Sequence, residues 1–183
     1  MIAKATRDRV LDALWPAGLS SRLGVWMIVD AARDPGIYGA VHAAFLEKCC
    51  LYSGHLPWQL EMVAPYLIEL RRDDRLTEFA IDKGWGQAWG IFVRTEADMR
   101  KLRRHLRGFL RVRDKAGRRL LFRYYDPRVM RIYLPTCTPD ELRTVYGPVE
   151  QYLYEGEDPG TLLEYSFDGT KGLEKRISLE SRA

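Results

Sequence analysis

The sequence predicts a single α/β domain in which a mixed central sheet of about five or six strands is flanked by helices, an ordinary sheet size. Three observations carry that expectation. Residues 23–30 are almost continuously apolar, the pattern of a strand buried on both faces. Other strand-like runs alternate with stretches whose apolar residues recur at helical spacing. Two junctions, Asp34-Pro35 and Asp126-Pro127, repeat one device: a capping carboxylate followed by a proline suited to the first helical position.

Taken in order, residues 4–15 place Val10, Leu11, Leu14 and Trp15 on one side of a helix that ends at Pro16-Ala17-Gly18. After the 23–30 strand and Asp34-Pro35, a second helix buries Ile37, Val41, Ala44 and Phe45. Residues 49–54 read as a short strand and turn, and 64–70 as a strand that tolerates Pro65 at its start. Asp73-Asp74 caps a helix with Leu76, Phe79 and Ala80 inward, and Gly84 stops it. Residues 85–94 read as a strand entered through glycines and two tryptophans, suited either to a sheet bend in the core or to an aromatic binding surface. Thr95 with Asp98 resembles a capping box ahead of a helix whose inner stripe is Met99, Leu102, Leu106 and Phe109.

Residues 110–113 and 119–124 form a hairpin around Asp114-Lys115-Ala116-Gly117-Arg118. A short helix follows Asp126-Pro127 and closes at Pro135, and Thr138-Pro139-Asp140-Glu141 starts another with Leu142 and Val145 inward. Residues 149–154 and 161–167 are strand-like, and the polar stretch from Asp168 onward is expected to be mobile. The organisation is thus an N-terminal helix and linker at 1–22, an α/β domain at 23–154, and a C-terminal strand and polar tail at 155–183.

With 46% apolar and 30% charged residues the chain reads as globular. Its net charge of +4 is mild, but thirteen Lys or Arg between positions 100 and 131 face only Asp114 and Asp126. Three cysteines, two of them vicinal, lack metal-ligand spacing, which points to a reducing, cytoplasmic compartment. Neither a signal-peptide core nor a run of apolar residues long enough to span a membrane is present.

The sequence carries no nucleophile elbow, phosphate-cradling glycine loop or zinc-protease helix motif. His42, His55 and His105 have no spaced partners and read as structural, with positive neighbours disfavouring protonation of His105. No catalytic residue, metal or cofactor is predicted. Asp30, Asp34 and Asp126 could gather as a carboxylate-dependent hydrolase site. They could equally form an ion-pair clasp with Arg33, Arg128 and Arg131, which is the favoured reading, because Arg128 and Arg131 sit where a helix dipole disfavours cations. A nucleic-acid-binding basic domain, with Tyr124 and Tyr125 beside the basic helix and hairpin, is a further alternative.

Three stretches carry a resemblance. They are Trp26-Met27-Ile28-Val29-Asp30-Ala31-Ala32; Ala64-Pro65-Tyr66-Leu67-Ile68-Glu69-Leu70 with Gly84-Trp85-Gly86-Gln87-Ala88-Trp89-Gly90-Ile91-Phe92; and Leu121-Phe122-Arg123-Tyr124-Tyr125-Asp126-Pro127-Arg128-Val129. Their order, with the basic helix between the last two, is similar to the domain-of-unknown-function family of type VI secretion effector adaptors, over residues 23–152. The resemblance implies a non-catalytic, cytoplasmic chaperone that binds a toxic effector and helps load it on a VgrG-type spike protein. Such adaptors often carry a further C-terminal lobe, whereas roughly thirty residues follow the resembling stretch here, so cargo contacts of that lobe are not carried over. The expected partner-binding side chains are Arg100, Arg103, Arg104, Arg107, Arg111 and Arg113, with Trp89 as an aromatic anchor.

Overall fold

The computed structural model describes residues 2–113 and 116–180. In chain order its elements are α1 (Lys4–Leu14), β1 (Gly24–Asp30), α2 (Pro35–Ala43), β2 (Lys48–Cys50), α3 (Trp58–Glu61), β3 (Pro65–Leu70), α4 (Arg75–Gly84), β4 (Gly90–Thr95), α5 (Met99–Phe109), β5 (Arg111–Arg113), β6 (Arg119–Leu121), α6 (Pro127–Thr136), α7 (Pro139–Tyr146), β7 (Gln151–Glu155), β8 (Thr161–Phe167) and β9 (Gly172–Ser178). Seven strands form one sheet in the order β2-β3-β1-β4-β7-β8-β9, and β5 with β6 makes a separate ribbon.

β1 lies at the middle of the densest part of the sheet, paired with β3 and with β4. Because side chains alternate along a strand, Val25, Met27 and Val29 enter one core and Trp26 and Ile28 the other. The first core is closed by α1, α2 and α4 through Val10, Leu14, Ile37, Val41, Ala80 and Ile81. The second is closed by α5, α6 and α7 through Leu102, Leu106, Met130, Leu134, Leu142 and Val145. The result is three layers, helices on both sides of one sheet.

The sheet is antiparallel throughout, not mixed as expected. Helical crossovers do join strands that run the same way, as a parallel sheet requires: α2 links β1 to β2, and α4 links β3 to β4. In both cases a third strand of opposite direction occupies the space between. β3 lies between β1 and β2, and β1 lies between β3 and β4. The strand count also exceeds five or six. The stretch from Asp168, expected to be mobile, contains β9, which pairs along its length with β8, from Phe167↔Gly172 to Thr161↔Ser178.

Other element ends differ for local reasons. The run 85–94 is a strand only from Gly90, since Gly86 (φ +78°) and Ala88 (φ +54°) turn the chain before it. Phe45 is fully exposed, because α2 stops at Ala43. Asp98, and not Thr95, caps α5, its carboxylate accepting from the Lys101 amide at 2.7 Å. The second hairpin strand stops at Leu121, so Tyr124 lies in a turn; part of the hairpin loop, Asp114 and Lys115, is outside the described residues.

Polar ties hold the layers at their ends. Arg94 of β4 is 2% exposed; its guanidinium donates to the carbonyls of Ala13 and Leu14, to Gln151 at 2.6 Å and to Glu164 at 3.1 Å. It therefore satisfies carbonyls at the end of α1 and fastens that helix to β7 and β8. Glu155 of β7 is likewise buried, and its carboxylate accepts from the amides of Gly86 and Ala88, the latter at 2.9 Å.

Gly90 marks the tightest backbone approach. A Cβ there would run into the carbonyl oxygen of Ile28, backbone that cannot give way without disturbing β1. Gly90→Ala is expected to destabilise by about 3 kcal/mol or more. Gly39→Ala, at an open position within α2, is expected to stabilise by up to about 1 kcal/mol. Urea denaturation of the two variants checks both; equal midpoints would contradict the close approach.

Candidate partner-binding surface

α5 sorts its residues by face. Met99, Leu102 and Leu106 are buried against the second core, and Arg100, Lys101, Arg103 and Arg104 are exposed. Arg107, an expected partner-binding residue, instead turns its guanidinium inward, donating to the carbonyls of Leu51 (3.1 Å), Cys50 (3.0 Å) and Tyr52 (2.7 Å). It holds the segment after β2 against α5, so its hydrogen-bonding edge faces this chain. The basic surface continues beyond α5 through Arg111 and Arg113 on β5 and Arg119 on β6, all exposed.

Apolar side chains interrupt that surface. Trp58, Leu60 and Val63 around α3, and Val112, Leu120 and Leu121 on the ribbon, are exposed. Between α3 and the ribbon runs a groove of about 290 Å³, with Leu56 and Leu60 on one wall, Leu110, Arg111 and Leu121 on the other, and Leu51 and Arg107 below. The ribbon carries two of the expected partner-binding side chains, Arg111 and Arg113, both exposed on β5, whereas α3 carries no functional expectation; the signal available there is the group of apolar residues within 56–63.

Trp89 is not an aromatic anchor. It is 5% exposed, packs on Phe79 with ring centroids 5.4 Å apart, and fills the space a side chain on Gly84 would need. Tyr124 and Tyr125, the stacking residues of the nucleic-acid reading, are 3% and 1% exposed. Neither can present a ring to a base.

The acidic residues at the sheet edge are engaged separately. Asp30 accepts from the Ala32 amide at 3.1 Å and is ion-paired with Arg123, a residue absent from the expected clasp. Burial works against the Arg123 charge, but the adjacent Asp30 outweighs it and raises its pKa. Asp126 caps α6 at the Arg128 amide and binds the Arg128 guanidinium through both oxygens, at 2.9 and 2.6 Å. Burial would raise its pKa; the Arg128 hydrogen bonds prevail and lower it. Arg131 donates to the Glu155 and Gly156 carbonyls, each at 3.0 Å, and Arg33 to the Gln87 carbonyl at 2.8 Å. Asp34 caps α2 through the Gly36 amide at 2.7 Å. The dipole conflict at α6 is thus met within the chain, and the three aspartates do not form the open cluster that the hydrolase reading needs.

Other reactive groups are masked by burial. The Cys49 thiol is pushed up to about 11, burial overcoming the nearby Arg103 and Arg107. His105 has a lowered pKa, for which burial and not its arginine neighbours is the cause; its Nε2 lies 2.8 Å from the Val145 carbonyl. Among the described residues no group of three or more His, Cys, Asp or Glu is placed to hold a metal ion, and no helix is long and apolar enough to cross a membrane.

Fold and surface together define a class: a three-layer α/β/α protein built on an antiparallel sheet, with a basic surface broken by exposed apolar side chains. The family model described as "Domain of unknown function (DUF4123)" matches residues 25–144, which is 120 of the 183 residues, and the chain belongs to that family. No curated protein and no solved structure matches the chain.

Two outcomes follow from the geometry. Arg123→Met leaves Asp30, whose side chain is 4% exposed, with the Ala32 amide, at an expected cost of about 1–3 kcal/mol. A double-mutant cycle with Asp30→Asn checks it; strictly additive costs would contradict the pairing. For His105, both states are neutral well above pH 6.5, and as pH falls the unfolded chain takes the proton first. Stability is therefore complete above that value and lost as pH drops toward the lowered folded pKa. The urea midpoint should fall between pH 7.5 and about 5.5 more in the native chain than in His105→Gln; parallel profiles would contradict this.

Proposed function

We propose that this chain is a non-catalytic, cytoplasmic adaptor that binds a type VI secretion effector and helps load that toxin on a VgrG-type spike protein. The observation that carries the reading is the family match: residues 25–144 contain all three stretches that resemble such adaptors, from Trp26 to Val129. The surface supports it. Exposed arginines at 100, 103, 104, 111 and 113 set encounter rate and partner choice, while apolar side chains interspersed among them supply contact area.

The aspartates at the sheet edge fit a scaffold, because Asp30 and Asp126 are matched by Arg123 and Arg128. A protein that must hold a large cargo needs rigid walls more than reactive groups. Affinity purification of the chain from its native bacterium, followed by mass spectrometry, is expected to recover an effector toxin together with a spike component. Recovery of neither would overturn the adaptor reading.

A further inference from the structure

We infer that the groove between α3 and the β5–β6 ribbon is the docking site for an acidic amphipathic segment of a partner protein, its apolar side chains entering the groove and its carboxylates meeting the arginine rim. The adaptor reading supplies the partner's identity, as an effector; the chemistry of the groove stands without it.

The ribbon is the first ground. β5 and β6 pair with each other and not with the main sheet, and all six of their residues are exposed. A lone two-stranded ribbon is marginal in water. Its apolar residue on the groove side, Leu121, is 49% exposed, at a position where a partner would be the natural cover, while Leu120, paired with Val112, lies on the other face of the ribbon.

The opposite wall is the second. Leu60, 50% exposed, lines the groove together with Leu56 and faces Leu110 and Leu121 across it. A volume of about 290 Å³ admits a few anchoring side chains and not a folded domain. That suits a single segment laid along the groove, held by a few apolar anchors.

Charge decides the segment's character. Arg111 lines the groove, and the register Arg111↔Leu121 and Arg113↔Arg119 places Arg113 and Arg119 on the same face of the ribbon as Arg111. Among the described residues, no carboxylate lines the groove. Five leucines in the lining favour a segment with aliphatic side chains to bury beside its carboxylates, which a nucleic-acid backbone does not have.

The test places a benzophenone amino acid at position 121 of the full chain in its native bacterium, with position 75 on α4 as the control. Irradiation is expected to give a protein adduct at 121 at least about ten-fold stronger than at 75, mapping by mass spectrometry to an acidic segment with spaced apolar residues. Leu60→Asp combined with Arg111→Glu should weaken that adduct by about ten-fold, with an unchanged melting curve because both side chains are exposed. No adduct, an adduct to nucleic acid, to a second copy of this chain or to a neutral or basic segment, or an adduct indifferent to the double variant, would overturn the groove. If the groove fails while affinity purification still recovers effector and spike, the adaptor reading stands; an acidic segment captured from another protein, with affinity purification recovering neither effector nor spike, leaves the groove standing and removes the adaptor reading.

Discussion

A strand with no solvent-facing side must be covered twice, and that requirement on β1 governs the molecule. From Val25 to Asp30 every residue is buried, so burial of either face alone would leave apolar side chains in water. At roughly 25 cal/mol per Å² of apolar surface, leaving one face bare would forfeit several kcal/mol, comparable to the whole stability of a domain. α1, α2 and α4 answer on one side, and α5, α6 and α7 on the other. The placement of the basic surface follows: α5 is committed to the second core through Met99, Leu102 and Leu106, and its arginines point outward or across to the carbonyls at the end of β2 and just after it.

Within this layered packing, buried charge is tolerated because each ion is matched to a defined partner. Arg94 meets two helix-end carbonyls and Glu164, Asp30 meets Arg123, and Glu155 meets two backbone amides. Such groups would be costly if left alone. They sit at element ends, where free carbonyls and amides exist to receive them. Glu155 shows the opposing terms openly: burial raises its pKa, and the Gly86 and Ala88 amides pull it back.

Much of this was legible from residue order. The doubly buried β1, the proline-led starts of α2 and α6, the capping box at Thr138 and Glu141, and the inward stripe of α5 are local patterns with local causes, and the structure contains them. What escaped depends on contacts distant in sequence. Nothing in the string says that β3 will insert between β1 and β2, so a mixed sheet was the natural expectation. β9 alternates weakly because its outer side meets water, with Leu173 to Arg176 exposed. Arg123 looked like one more member of a basic run until folding set it beside Asp30, ninety-three positions away. Trp89 could be either core or surface on composition alone, and the turn at Gly86 and Ala88 decides that it points inward.

The two ends of the sheet bear on how the molecule behaves in a crowded cell. A seven-stranded sheet has two edge strands, each a potential template on which another chain could pair. One edge, β2, is three residues long; the other, β9, presents Glu174, Lys175 and Arg176 in succession. A short edge offers few backbone bonds on which to propagate, and a charged one resists burial against a neighbouring strand. Both ends of the sheet thus discourage the edge-to-edge pairing that a long, flat, apolar strand would invite.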